Sequence, residues 1–446
     1  MEVRATRTPF RLLAIGFGLL MAASACTGAS APATPATGAS PTSGSPTPSS
    51  EGGAIGGDVT VWTAWGGAEL DAFRNVLKPF EERTGIEVRL TTVRDVNQLA
   101  INVDAGTELP DVAFPPTPDK IPDWAQRGVM KALESFLDMA DYTANTYPAL
   151  LDIGVVDGQH YQLFVKTQVK GLFWYNAKVF RGPAPKTWDE LLATPVTPPT
   201  KRFCVGLESG AASGWPATDM IENIVMRQSG AGVYNDWIAG KQKWTSPEIR
   251  RAFQTFGQLV SEENVYGGPN TVLTTNFGRA GKPLFTDPPG CLFLEQATFI
   301  TNFFKEDYPN LQSVEDFDFF PHPSIDPAHD GNVEGFADSF VMYNDTPQAR
   351  ALMSYLATAE AQATFVAGGG TLAARKDVTN FPDPVFKRAA DVAASAKNLL
   401  VDASDNMPSD MNAAFWKATL DFTKDQSKLD AILTNLDQVQ AASYGS

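Results

Sequence analysis

The residues of this chain that could do chemistry are carboxylates and indoles, not imidazoles or thiols. Glu208, Asp219, Asp287 and Glu295 could supply the acid and base of a glycosidase, a reaction that needs two carboxyl groups at a set separation. Only three histidines occur, His160, His322 and His329, and no two stand at helical ligand spacing beside a glutamate, which argues against a zinc hydrolase. The Pro-His-Pro stretch from His322 to His329 reads as a polar loop. Gly210-Ala211-Ala212-Ser213-Gly214 has the order G-x-x-S-G in place of G-x-S-x-G, with no histidine nearby, so it does not read as a nucleophile elbow. Gly368 to Gly370 lack a following Lys-Ser or Lys-Thr, so they read as a hinge or chain break and not as a phosphate cradle. No cofactor or metal signature remains, and none is expected.

Tryptophan is more informative. Trp65 and Trp215 adjoin glycines in expected loops, and Trp416 sits beside charge in Asn412-Ala413-Ala414-Phe415-Trp416-Lys417. A flat ring in a loop offers an apolar face, as the C–H face of a sugar requires, while sugar hydroxyls call for Asp, Glu, Arg, Asn or Gln partners. These three are candidate ligand contacts. Trp62, Trp188, Trp237 and Trp244 read as core, and Trp124 and Trp174 are open.

The elements that position these residues alternate. Val59-Thr60-Val61-Trp62 reads as a strand, and Leu70, Phe73, Leu77 and Phe80 recur at helical spacing up to Gly85, with Pro79 expected to bend the helix. Ile86, Val88 and Leu90 alternate as a second strand, a helical stretch spans 95–103, and Asp111 to Phe114 forms a third strand. Strand, helix, strand, helix, strand predicts a parallel sheet with ligands at its carboxyl ends, where Trp65-Gly66-Gly67 and Phe114-Pro115-Pro116 fall. Further on the pattern predicts an extended stretch over 163–175, a helix opened by Thr187, a strand at 203–207, and a helix over 216–228. One helix is expected over 348–366 and two more over 413–436.

The amino terminus speaks to location. Arg4, Arg7 and Arg11 precede an apolar run from Leu12 to Ala25 that is too short to span a bilayer comfortably and ends in small residues before Cys26. This predicts a cleaved signal, residues 1–25, with Cys26 taking a diacylglyceryl anchor; an ordinary signal peptide with an accidental cysteine is the alternative. Residues 26–57 are almost wholly Gly, Ala, Ser, Thr and Pro, a flexible tether. With Cys26 lipidated, Cys204 and Cys291 remain as a pair for a structural disulfide in an oxidising compartment. The formal charge is −16, which argues against nucleic acid and anionic headgroups as partners.

The chain resembles the solute-binding lipoproteins of carbohydrate ABC importers, in the alpha-glucoside group. The resemblance rests on Val61-Trp62-Thr63-Ala64-Trp65, Lys78 to Gly85, Leu109-Pro110-Asp111-Val112-Ala113, Lys170 to Asn176, Glu208 to Asp219, Lys282 to Cys291 and Tyr355 to Gln362. It implies a two-lobed, type II periplasmic-binding-protein-like α/β fold, each lobe a mostly parallel sheet flanked by helices and joined by crossing hinge segments. By analogy the amino-terminal lobe takes 58–165 plus 322–366 and the carboxy-terminal lobe 166–321 plus 367–446. Carried over by position, the ligand set is Trp65, Arg94 and Asp338 from the first lobe, then Glu208, Trp215, Asp219, Phe285, Asp287, Gln296 and Trp416 from the second. Gln168 and Lys170 stand near the crossing strand. Pro116 departs from the Gln that close relatives often carry there. The implied protein is a monomeric, non-enzymatic receptor on the outer face of the cytoplasmic membrane. It would capture an oligosaccharide and deliver it to a permease, touching the membrane through its lipid only. A secreted glycosidase and a binder of peptides or polyamines are the alternatives.

Overall fold

The computed structural model describes residues 55–93 and 97–444. The signal segment, Cys26, the spacer up to residue 54 and Arg94 lie outside them. Among the described residues no helix is long and apolar enough to cross a membrane.

The first expected unit is present. Strand β1 (Asp58–Thr63) pairs in parallel with β2 (Glu87–Thr92) and with β3 (Val112–Ala113). The connecting helix Gly67–Thr84 buries Ala72, Phe73, Val76, Leu77 and Phe80, the three-and-four spacing that turns one face to the sheet. Its end is set by Gly85, whose φ of 68° lets its N–H close onto the Glu81 carbonyl.

The remaining strands make the sheets mixed. A short hairpin, β4 (Val155–Val156) and β5 (Gln159–His160), precedes β6 (Leu163–Val169) and β7 (Leu172–Asn176). Then come β8 (Lys201–Cys204), β9 (Cys291–Gln296), β10 (Phe317–Pro321), β11 (Asn332–Met342), β12 (Leu372–Ala373) and β13 (Asn398–Val401). The larger sheet runs β12-β6-β11-β3-β1-β2 with β13 also on β11, and the smaller runs β10-β7-β9-β8. Parallel pairing is confined to β1 with β2 and β3, β11 with β13, and β8 with β9; the other pairs in these two sheets are antiparallel. The departure from mostly parallel sheets lies in β6 and β7, which run antiparallel to their neighbours β11 and β12 in the larger sheet and β10 and β9 in the smaller.

Two chain segments pass between the sheets. The first is Lys170-Gly171, the turn from β6 of the larger sheet to β7 of the smaller. The second is 322–331, leading from β10 back to β11. Strands β12 and β13 also return to the larger sheet.

Helices cover the smaller sheet. The long helix Trp215–Ile238, interrupted at Gly230, packs with Pro247–Leu259, Ser409–Lys424 and Leu429–Tyr444 into one apolar core around Trp237, Trp244, Phe253 and Phe415. Trp124, Trp174, Trp188, Trp237 and Trp244 are buried, whereas Trp62 is only half-buried. The helix expected over 348–366 is two helices, Pro347–Leu356 and Ala359–Ala367, because the Thr358 hydroxyl accepts the Ala361 N–H and caps a new start. Cys204 and Cys291 are disulfide-bonded and tie neighbouring strands β8 and β9.

Candidate binding cleft

A cleft of about 740 Å³ opens beyond the carboxyl ends of β1 and β3. One wall is Thr63 to Trp65, Phe114 to Pro118 and residues 149–156; the middle of β11, Gly335 to Phe340, also lines it. The opposing wall is Val401 and Asp402, Asp405 to Met407, and Ser409, Asn412 and Trp416 of the helix Ser409–Lys424. The two walls touch where the Ser409 hydroxyl donates to Asp119 at 2.8 Å.

Trp65, Asp338 and Trp416 line this cleft, as does the Phe114-Pro115-Pro116 loop. The Trp65 ring is 7% exposed, held edge-on by Phe73, Phe340 and Phe365, and its Nε1–H donates to Asp338 Oδ1 at 3.1 Å. Lys166, buried in β6, puts its ammonium 2.5 Å from both Asp338 and Glu69 and 4.9 Å from the centroid of the Trp65 ring. Burial pulls the Lys166 pKa down, but Asp338 and Glu69 outweigh it and the net shift is upward. Asp338 is therefore presented to the cleft with its orientation fixed from behind.

Across from it, Trp416 Nε1 and Asn412 Oδ1 are buried and have no hydrogen-bond partner within the protein. They stand four residues apart on one helix, and both residues line the cleft wall. This helix comes close because Gly214 faces it: a Cβ there would stand 2.3 Å from the Trp416 carbonyl, and its φ is 109°. The charged residues lining the cleft, Asp152, Asp338, Asp402 and Asp405, are all carboxylates among the described residues.

Among the described residues the other expected contacts do not line the cleft. Glu208 accepts from Asn276 and from the Gly210 N–H, which hold its carboxyl below its ordinary range, and Trp215 packs on Phe277 and Phe299. Phe285 packs on Phe304 and Tyr308, and Asp287 is exposed in its loop. Gln168 is buried in β6, and the Gln296 side chain accepts the N–H of Ala297. Lys170 and Asp219 are buried against each other at 2.9 Å. Glu208, Trp215, Phe285, Gln296, Lys170 and Asp219 are spent on protein partners, a distinction that residue type alone does not carry. Asn412 was missed, although its i, i+4 relation to Trp416 is legible in the sequence; Asp402 and Asp405 carried no local signal.

Asp219, Glu222 and Asp402 bring carboxylate oxygens within 4.8 Å of one another. The place a metal ion would take between Asp219 and Asp402 is filled by the Lys170 ammonium, which meets both. The set is an ion-pair cluster. His322, expected in a polar loop, is instead buried and stacked on Trp188, and burial with the nearby Arg227 keeps it neutral.

Two sheets joined by short crossing segments, with a cleft between loop ends and a facing helix, define the type II periplasmic binding fold. Among solved structures the chain superposes on a chitin oligosaccharide binding protein with a TM-score of 0.74 at 20% identity, covering 87% of this chain and 99% of that one. The Thermus thermophilus maltotriose binding protein gives a TM-score of 0.62 at 17% identity, covering 86% and 99%. At such identities the likeness concerns the fold alone.

The chain belongs to the bacterial extracellular solute-binding proteins, whose family model matches residues 75–394. It is 32% identical over 390 residues to the osmoprotective compounds-binding protein GgtB of Synechocystis sp., covering 84% of this chain and 91% of that protein. It is 31% identical over 396 residues to the alpha-glucosides-binding periplasmic protein AglE of Rhizobium meliloti, covering 84% and 85%. The chain is thus a binding protein and not an enzyme. Glu208, Asp219, Asp287 and Glu295, the carboxylates weighed as a glycosidase pair, all lie off the cleft.

Proposed function

We propose that the protein captures an oligosaccharide, an alpha-glucoside of the maltose or trehalose type, in this cleft and presents it to the permease of an ABC importer. Cys26 and its spacer would tether it to the outer face of the membrane. The observation that carries the sugar reading is the unpartnered pair on the helix Ser409–Lys424. A hydroxyl both accepts and donates, so sugar hydroxyls have the chemistry that Trp416 Nε1–H and Asn412 Oδ1 lack within the protein. Asp338 offers a fixed acceptor across the cleft. The name of one relative, the alpha-glucosides-binding AglE, supports this class of ligand.

A thermal-shift panel of maltose, trehalose and sucrose tests this, because a ligand of the native state raises stability by RT ln(1 + [L]/Kd). The expected result is a concentration-dependent shift with at least one sugar and no turnover. Trp416→Phe keeps the ring and removes the donor, and it should weaken that sugar about tenfold, as loss of one buried hydrogen bond would. No shift with any sugar overturns the reading. The all-carboxylate lining favours a polyamine as the second reading, so spermidine belongs in the same panel. Cys26→Ser should leave sugar binding intact and move the protein from the membrane to the soluble fraction.

A further inference from the structure

The first crossing segment meets strand β11, into which the second leads, at one buried cluster. Lys170 stands at the turn from β6 to β7, Glu334 near the start of β11, Asp219 and Glu222 on the helix Trp215–Ile238, and Asp402 just after β13. The Lys170 ammonium is 2.9 Å from Asp219 Oδ1 and 3.8 Å from Glu334 Oε1, and it also meets Asp402 Oδ2. It lies over the Phe336 ring, 5.3 Å from the centroid. Asp402 faces two ways, since it lines the cleft and pairs with Lys170 behind it. Gly171 makes room for the cluster: a Cβ there would stand 2.1 Å from the side chain of Asn223, which donates to Glu334 Oε2.

Four carboxylates, each less than a tenth exposed, surround this one ammonium. Arg227, further along the helix, is bonded to Asn223 and supplies the next positive charge. Buried carboxylates without a counter-charge take up protons. The hydrogen bonds show which are fully satisfied. Glu222 accepts the N–H groups of Ala403 at 2.6 Å and Ser404 at 3.1 Å. Asp402 Oδ1 accepts the Asp405 N–H at 2.8 Å and the Ser404 hydroxyl at 3.1 Å. Asp219 Oδ2 and Glu334 Oε1 are buried with no donor.

We propose that Lys170 is a positioning residue that holds Asp402 on the cleft wall, and that a proton on Asp219 governs this hold, so that ligand affinity falls as pH rises. The inference rests on the cleft being the ligand site. With Asp219 protonated, the ammonium serves Asp402. When Asp219 ionises it competes for Lys170 and repels Asp402 and Asp405. Burial pushes the Asp219 carboxyl up to about 8 against the pull of Lys170, and Asp402 and Asp405 add to the rise. The other groups around it point the same way: burial and carboxylate neighbours raise Glu222 and Glu334, and burial raises Glu295 beyond them. Tyr234 is also raised and His322 is kept neutral, so neither titrates into this range from the acid side.

Two readouts on the full chain test this. The first needs no ligand: an acid whose folded pKa is raised lends stability that is lost as pH rises from its unfolded value, near 4, through about 8. The melting temperature of the wild type relative to Asp219→Asn should therefore fall across that window, and parallel profiles would overturn the proton assignment. The second is the affinity for a sugar that scores in the panel, measured from about pH 6.5 to about 9. Wild-type Kd should rise toward a limit of about tenfold per pH unit above the midpoint, while Asp219→Asn keeps only the shallower slope left by Asp405, whose carboxyl burial and Asp402 push up to about 7. Lys170→Arg should keep the slope and Lys170→Met should lose affinity at every pH. A flat wild-type profile, or a slope in Asp219→Asn as steep as the wild type's, overturns the positioning role. If no sugar binds, the functional reading fails and the positioning role falls with it, while the melting profiles still decide the proton.

Discussion

Lys166 shows how a single buried cation shapes the cleft. Its side chain is 1% exposed, and it is the ion partner of Asp338 on the cleft wall and of Glu69 behind it. Replacing it by Met removes the counter-charge from two carboxylates that are only partly solvated, and should destabilise the fold by about 3 kcal/mol, read as a lower urea midpoint. Adding Glu69→Gln to Lys166→Met should recover part of that loss, because one of the stranded charges is gone; no recovery would mean the loss is one of packing. Trp65 illustrates the opposite lesson. Its ring was expected to stack on ligand, but three phenylalanines and the Lys166 ammonium surround it, so its contribution to the cleft is an edge and an N–H directed at Asp338.

At the level of elements, the helix Ser409–Lys424 is held against the start of the helix Trp215–Ile238 by Gly214. Gly214→Ala would force a Cβ into the Trp416 carbonyl at a φ suited to glycine, costing roughly 1–3 kcal/mol, and would move Trp416 and Asn412 off the cleft wall. Sugar affinity should fall more steeply in this variant than in Trp416→Phe, since both groups of the pair are displaced. The disulfide acts on a different element pair. It closes a sequence separation of 87 residues between β8 and β9, so Cys204→Ser with Cys291→Ser should lower stability by about 4 kcal/mol on the chain-entropy account. Sugar affinity should change little, because both cysteines lie away from the cleft; a large loss of affinity would show that the smaller sheet transmits strain to the wall.

At the scale of the whole molecule, the two walls are joined across the cleft by the Ser409 hydroxyl on Asp119. Burial pushes the Asp119 carboxyl up, but the hydroxyls of Thr117 and Ser409 and the neighbouring Lys120 outweigh it and hold it below its ordinary range. The bond's stabilisation is therefore present above the normal carboxylate range and lost in acid, as pH falls through the folded value. Ser409→Ala removes about 1 kcal/mol of closed-state stabilisation, so sugar Kd should rise about fivefold and the ligand-free radius of gyration in X-ray scattering should increase. An unchanged radius and Kd would show that this contact does not hold the walls together.

Local pattern was enough for the β1–helix–β2 unit and for the loops after β1 and β3, because strand alternation and helix spacing are short-range properties, and the cysteine pairing followed from the count of three. The tryptophans were separable into core and cleft only in part: Trp416 stands on the cleft wall, whereas Trp215 turned inward onto Phe277 and Phe299. The antiparallel pairing of β6 and β11, the return of β12 and β13 to the larger sheet, and the gathering of Lys170, Asp219, Glu334 and Asp402 depend on residues far apart in the chain. Whether a carboxylate is free for a ligand depends on which donor the fold brings to it. The sequence by itself thus determined the elements and the kind of chemistry available. Only the tertiary structure decided which acids face the cleft and which are consumed in holding its walls, since burial and pairing are made by contacts that no local window contains.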